Sequence, residues 1–109
     1  MKLIDLIEAL RSPETATRLA EKELPGIEYN CVDTYMENEI DLESEIRFFD
    51  GENIPPPGMY IQVDGIKYVN LFPLTMAQDM VEDFEKDQGK NFDILVVAKR
   101  MLHYRIYDA

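Results

Sequence analysis

Residues 36–48 read Met36-Glu37-Asn38-Glu39-Ile40-Asp41-Leu42-Glu43-Ser44-Glu45-Ile46-Arg47-Phe48. Even positions hold Met36, Asn38, Ile40, Leu42, Ser44, Ile46 and Phe48, whereas odd positions hold five carboxylates and Arg47. A repeat of two is the period of a β-strand, whose successive side chains point to opposite faces. The spacing predicts one long strand with its greasy side inward and its charges outward. Glu and Asp are poor strand formers, and a helix with Leu42, Ile46 and Phe49 inside is the competing reading. The period decides for the strand.

Working outward from this stretch, Ile27, Tyr29 and Cys31 alternate with polar neighbours and predict a short strand before it. After it, Asp50-Gly51 is a turn signal and Ile54-Pro55-Pro56-Pro57-Gly58 a stiff extended loop. Met59–Val63 and Ile66–Leu71 are β-rich runs separated by Asp64-Gly65. Two residues that both accept positive φ define a tight hairpin.

Helical spacing dominates the two ends. Leu3, Ile4, Leu6, Ile7 and Leu10 form one stripe. Ser12-Pro13-Glu14 starts a second helix: the hydroxyl caps, proline suits the first turn and the carboxylate complements the dipole. Ala16, Leu19, Ala20 and Leu24 make its inner face, and Pro25-Gly26 ends it. Thr75 with Gln78 resembles a capping box before the stripe Met76, Met80, Val81 and Phe84. For 92–107, Ile94, Leu95, Ala98, Met101, Leu102 and Ile106 predict a helix, with two short strands as the alternative. Together these readings predict a single α+β domain over 1–109. Its antiparallel sheet has three to four strands, with N- and C-terminal helices packed on one face.

Charge narrows the function classes. The formal net charge is −11, and Glu23–Gly65 holds eleven carboxylates against Arg47 alone. A phosphate backbone is bound by displacing counterions from a basic surface, so nucleic acid is excluded, and an anionic membrane surface with it. Ile94–Ala98 is the longest wholly apolar run, far short of the about 20 residues that span a bilayer. Asp5 and Glu8 interrupt what would be the core of a signal peptide. One cysteine allows no internal disulfide, and the expected compartment is the cytoplasm.

The main candidate site is the acidic row Glu37, Glu39, Asp41, Glu43 and Glu45, read as a docking face for a basic protein. A solvated face, or an edge strand charged against aggregation, is the bland account of the same residues. Asp50-Gly51-Glu52-Asn53 lacks the spacing of a calcium loop, and no metal or cofactor is expected. Cys31 reads as core and His103 as a surface residue of the last helix, so no catalytic residue is assigned. Pro55–Pro57 reads as a loop rather than a polyproline ligand. Tyr60, Tyr68, Phe72, Tyr104 and Tyr107 would supply an interface wherever they reach the surface. Lys99, Arg100 and Arg105 form a small basic cluster able to meet the acids of a second copy. The expected function is therefore a non-enzymatic interaction protein of inhibitor, immunity or adaptor type. The alternatives are a ligand-binding or enzymatic domain with an apolar pocket between sheet and helices, and a homo-oligomeric structural protein.

Overall fold

Helix α1 (Leu3–Leu10) turns four of the five residues of its apolar stripe inward: Leu3, Leu6, Ile7 and Leu10 are fully buried, whereas Ile4 is exposed. The backbone N–H of Lys2 donates to Asp5 Oδ2 at 2.9 Å and satisfies one free amide of the first turn. Helix α2 (Pro13–Glu23) begins as its sequence predicts, with the Ser12 hydroxyl accepting from the Glu14 N–H and Pro13 in the first turn. A computed structural model of the chain describes residues 1–52 and 60–107. The Ile54–Gly58 loop, with its polyproline alternative, and Met59 lie outside the described residues.

Strands β1 (Val32–Glu37), β2 (Ile46–Asp50), β3 (Tyr60–Val63) and β4 (Ile66–Pro73) form one antiparallel sheet in the order β2-β1-β4-β3. Helices α3 (Leu74–Gln88) and α4 (Ile94–Tyr107) follow. The fold is thus α+β, with a four-stranded antiparallel sheet. No helix among the described residues is long and apolar enough to cross a membrane.

Three expectations need correction. Ile27–Cys31 is not a strand: Tyr29–Cys31 is a 3-10 turn leading into β1. Residues 36–48 are neither one strand nor a helix, because β1 ends at Glu37, β2 starts at Ile46, and the chain between them is a hairpin loop. Thr75 caps nothing, because α3 starts one residue earlier with Pro73 in the cap position and no capping side chain. Gln78 instead accepts from the Tyr29 hydroxyl and donates to Glu82. The last segment is the predicted helix, its first turn capped by the Asp93 carboxylate, which accepts from Leu95 N at 2.9 Å.

One core joins the layers. Val32, Met36 and Phe48 from the sheet meet Leu71 and Phe72 of β4, the α1 stripe, Ala16 and Ala20 of α2, and the buried sides of α3 and α4. Burying one such Leu contributes roughly 1.5–3 kcal/mol. Inside this core the β1–β4 register slips: Asp33 pairs with Pro73, but Tyr35 pairs with Asn70. One residue of β1, Thr34, therefore faces two of β4, the two-against-one arrangement of a β-bulge. The bulge takes Phe72 out of the regular ladder, and the buried Thr34 side chain makes good both bonds. Its hydroxyl donates to Phe72 O at 2.6 Å and accepts from Phe72 N at 3.2 Å.

The other sheet face carries a smaller aromatic cluster. Phe49 meets Tyr35 and Tyr68 edge-on, with centroids 5.2 and 5.4 Å away. The Arg47 guanidinium lies over both Phe49 and Tyr68. Burial raises the pKa of the Tyr35 phenol, and a hydrogen bond with Asn70 partly offsets this.

Candidate functional site: an acidic hairpin loop

The β1–β2 ladder closes where Glu37 N donates to Glu45 O at 2.9 Å. Beyond that pair the chain leaves strand geometry at Asn38, whose φ of 69° is left-handed. Asn is among the few residues that adopt it at modest cost. The Asn38 N–H crosses to Lys67 O on β4 at 2.7 Å. Asp41 then makes the turn, its carboxylate accepting from Glu43 N at 2.9 Å and its carbonyl from Ser44 N at 3.1 Å. The Ser44 hydroxyl ties the loop across its base by donating to Glu39 O at 2.8 Å.

The in-and-out sorting read from the sequence nevertheless holds from Glu39 to Ile46, although Asn38, on the expected inner side, is exposed and Glu37 is half-buried. Ile40, Leu42 and Ile46 are half-buried and pack against the core, whereas Glu39, Asp41, Glu43 and Glu45 are exposed. Period two here reports which side chains reach the core edge, not that the backbone is extended. The predicted flat plane of carboxylates is replaced by a curved rim. Glu37, Glu39, Asp41, Glu43 and Glu45, with Asn38 and Ser44, line a shallow concavity of about 380 Å³.

The N-terminal segment neutralises part of this rim. Lys2 Nζ sits 2.8 Å from Glu43 Oε2, and the Met1 amino group 2.6 Å from Glu45 Oε2. The Glu43 hydrogen bond, reinforced by its charge, raises the pKa of Lys2. Ile46 N donates to Met1 O at 2.8 Å and holds the segment alongside. Among the described residues no ion pair engages Glu37, Glu39 or Asp41. No group of three or more His, Cys, Asp or Glu among the described residues is arranged to hold a metal ion.

The remaining candidates are dispersed. Cys31 is only half-buried, a departure from its expected place in the core. Its Sγ lies 3.5 Å from Glu52 Oε1, and desolvation together with Glu52, Glu28 and Asp50 raises the thiol pKa. Its surroundings therefore oppose the thiolate that a nucleophile needs. His103 is exposed on α4 with its ring 4.7 Å from Tyr107. Of the aromatic set, Tyr68 and Phe72 are buried, Tyr104 is half-buried, and Tyr60 and Tyr107 are exposed on different elements. The basic cluster separates as well. Arg100 lies over the Phe84 ring at 5.6 Å, Arg105 Nε donates to Asn70 O at 2.8 Å, and Lys99 is exposed.

These features define the class as an acidic α+β domain with a charged hairpin loop at one end of its sheet. No protein-family model, curated protein or solved structure matches the chain.

Proposed function

We propose that the protein is a non-enzymatic interaction module, of inhibitor, immunity or adaptor type, that binds a basic protein partner through the acidic loop. Glu37, Glu39, Asp41, Glu43 and Glu45 steer and position that partner. The observation that carries the reading is the rim itself: five carboxylates around one concavity, three of them outside any ion pair among the described residues. An uncompensated rim attracts cations at long range, and its pull weakens as salt shortens the Debye length from about 30 Å at 0.01 M to about 10 Å at 0.1 M. The single cysteine supports placing the module in the cytoplasm.

Capture from a native lysate at low and high salt tests this. The wild-type chain is expected to retain a basic protein at low salt and release it at high salt. A variant with the five acids changed to Gln or Asn is expected to lose it. Equal capture by the two chains overturns the reading.

A further inference from the structure

At the opposite physical extreme from the acidic rim is a groove where the sheet meets α3 and α4. Strand β3 pairs with β4 only from Ile66 to Val69 among the described residues, while β4 runs on to Pro73. Beside Asn70–Pro73 of β4 the last turns of α4 come against the sheet. Arg105 reaches across and donates through Nε to Asn70 O. The notch between them has a volume of about 420 Å³, within the about 300–1,000 Å³ typical of small-molecule sites. Phe72, Met76, Tyr104 and Ile106 give it apolar walls, and no carboxylate lines it among the described residues. In a chain with twice as many acids as bases, a groove whose one charged lining residue among those described is an arginine stands apart.

The arginine is also held in place. Its Nε bond to a strand carbonyl orients the guanidinium plane, Arg105 is half-buried, and the Phe72 and Tyr104 rings, with centroids 6.2 Å apart, line the same notch. A guanidinium has five N–H donors, so one bond through Nε leaves its two terminal nitrogens to form the fork that matches a carboxylate. We infer that this groove binds a small aromatic or branched aliphatic monocarboxylate, its acid group paired with Arg105 and its apolar body against Phe72, Met76, Tyr104 and Ile106. This site is separate from the acidic loop, and its fate does not depend on that of the proposed interaction face.

The probes are 3-phenylpropionate and 3-phenylpropionamide, isosteric but differing in charge, titrated into the 15N-labelled full chain and followed by two-dimensional NMR. Saturable shifts are expected for the carboxylate at Asn70, Met76, Tyr104 and Arg105 Nε, with Kd below about 1 mM, the affinity of a single anchored fragment. The amide is expected to bind at least about tenfold more weakly, the factor that 1.4 kcal/mol represents. Arg105→Gln is expected to abolish the difference between acid and amide. Ile106→Glu, at a position exposed enough to leave folding intact, is expected to weaken the acid about tenfold or more by placing a like charge at the mouth. Equal binding of acid and amide overturns the proposal. So do unchanged binding by folded Arg105→Gln or Ile106→Glu, shifts confined to other residues, and no saturation by about 10 mM.

Discussion

Thr34 shows how much one hydroxyl can hold. It is fully buried, and both its bonds go to the backbone of Phe72 at the bulge. Thr34→Val keeps the shape but strands a buried N–H and a buried C=O, so we expect a loss of about 1–3 kcal/mol in urea unfolding. Thr34→Ser restores most of it; a Val variant as stable as wild type would show that the bulge does not need the hydroxyl. Nothing in the sequence marks this position, because a threonine in a strand is ordinary and the register slip that makes it necessary depends on contacts far along the chain. Its neighbour Asp33 titrates against burial, which raises its carboxyl above the usual range. The folded state therefore holds this proton more tightly than the unfolded chain. The associated stability is present below the unfolded-state pKa and lost as pH rises through the folded one. Asp33→Asn is expected to match wild type near about pH 3 and to exceed it near about pH 7, above the ordinary carboxylate range. A gap that stays constant across that window would remove burial of the charge as the cause.

Among the elements, most of those defined by local chemistry are legible in the sequence, the Thr75–Gln78 pattern excepted, and those defined by distant contacts are not. Ser12-Pro13-Glu14 caps as its residue types dictate, and Asp64-Gly65 makes the β3–β4 hairpin with φ of 53° and 80°. The sequence of the acidic segment does not distinguish a strand from this loop, because two structures share one pattern. A strand sorts side chains by pleat, and a loop laid over the edge of a core sorts them by reach; Ile40 and Leu42 obey the second rule. Asn38 and the Asp41–Ser44 pair make the turn inside it, and the regular alternation around them hides it. Two glycines separate backbone strain from crowding. A Cβ at Gly65 meets nothing within 4 Å, so Gly65→Ala incurs only the left-handed backbone penalty, about 1–2 kcal/mol. At Gly51 a Cβ would lie 2.8 Å from Asp33 Oδ2 and 3.0 Å from Cys31 O, where Gly51 N already donates to Cys31 O at 2.7 Å. Gly51→Ala must displace the Asp33 carboxylate and press on the Cys31 carbonyl at the β1–β2 end, and is expected to cost up to about 3 kcal/mol. Chemical denaturation of both variants checks the order; a Gly51→Ala loss smaller than that of Gly65→Ala contradicts this packing.

For the whole molecule, the question is what an excess of eleven negative charges does to a chain with three ion pairs among its described residues. Folding draws Glu37, Glu39, Asp41, Glu43 and Glu45 onto one rim, and among the described residues only Lys2 and the Met1 amino group form ion pairs with any of them. Two like charges about 8 Å apart in water repel by about 0.5 kcal/mol before screening, and several such pairs add. Unfolding relaxes that repulsion, so the rim lowers stability in the free protein. Neutralising Glu39 and Asp41, both outside any ion pair among the described residues, should therefore stabilise the fold. The Asn at position 41 keeps a side-chain oxygen that can accept from Glu43 N, so the turn survives the change. Glu39→Gln/Asp41→Asn is expected to raise the melting temperature by several degrees at about 10 mM salt, at the 4–8 °C per kcal/mol typical of a domain this size. The gain is expected to fall away near about 1 M, where the Debye length is about 3 Å. The same double variant is expected to weaken capture of a basic partner, so stability and binding move in opposite directions at one set of residues. That opposition separates a working surface from a merely solvated one: acids serving only solubility would change the melting curve and leave capture untouched.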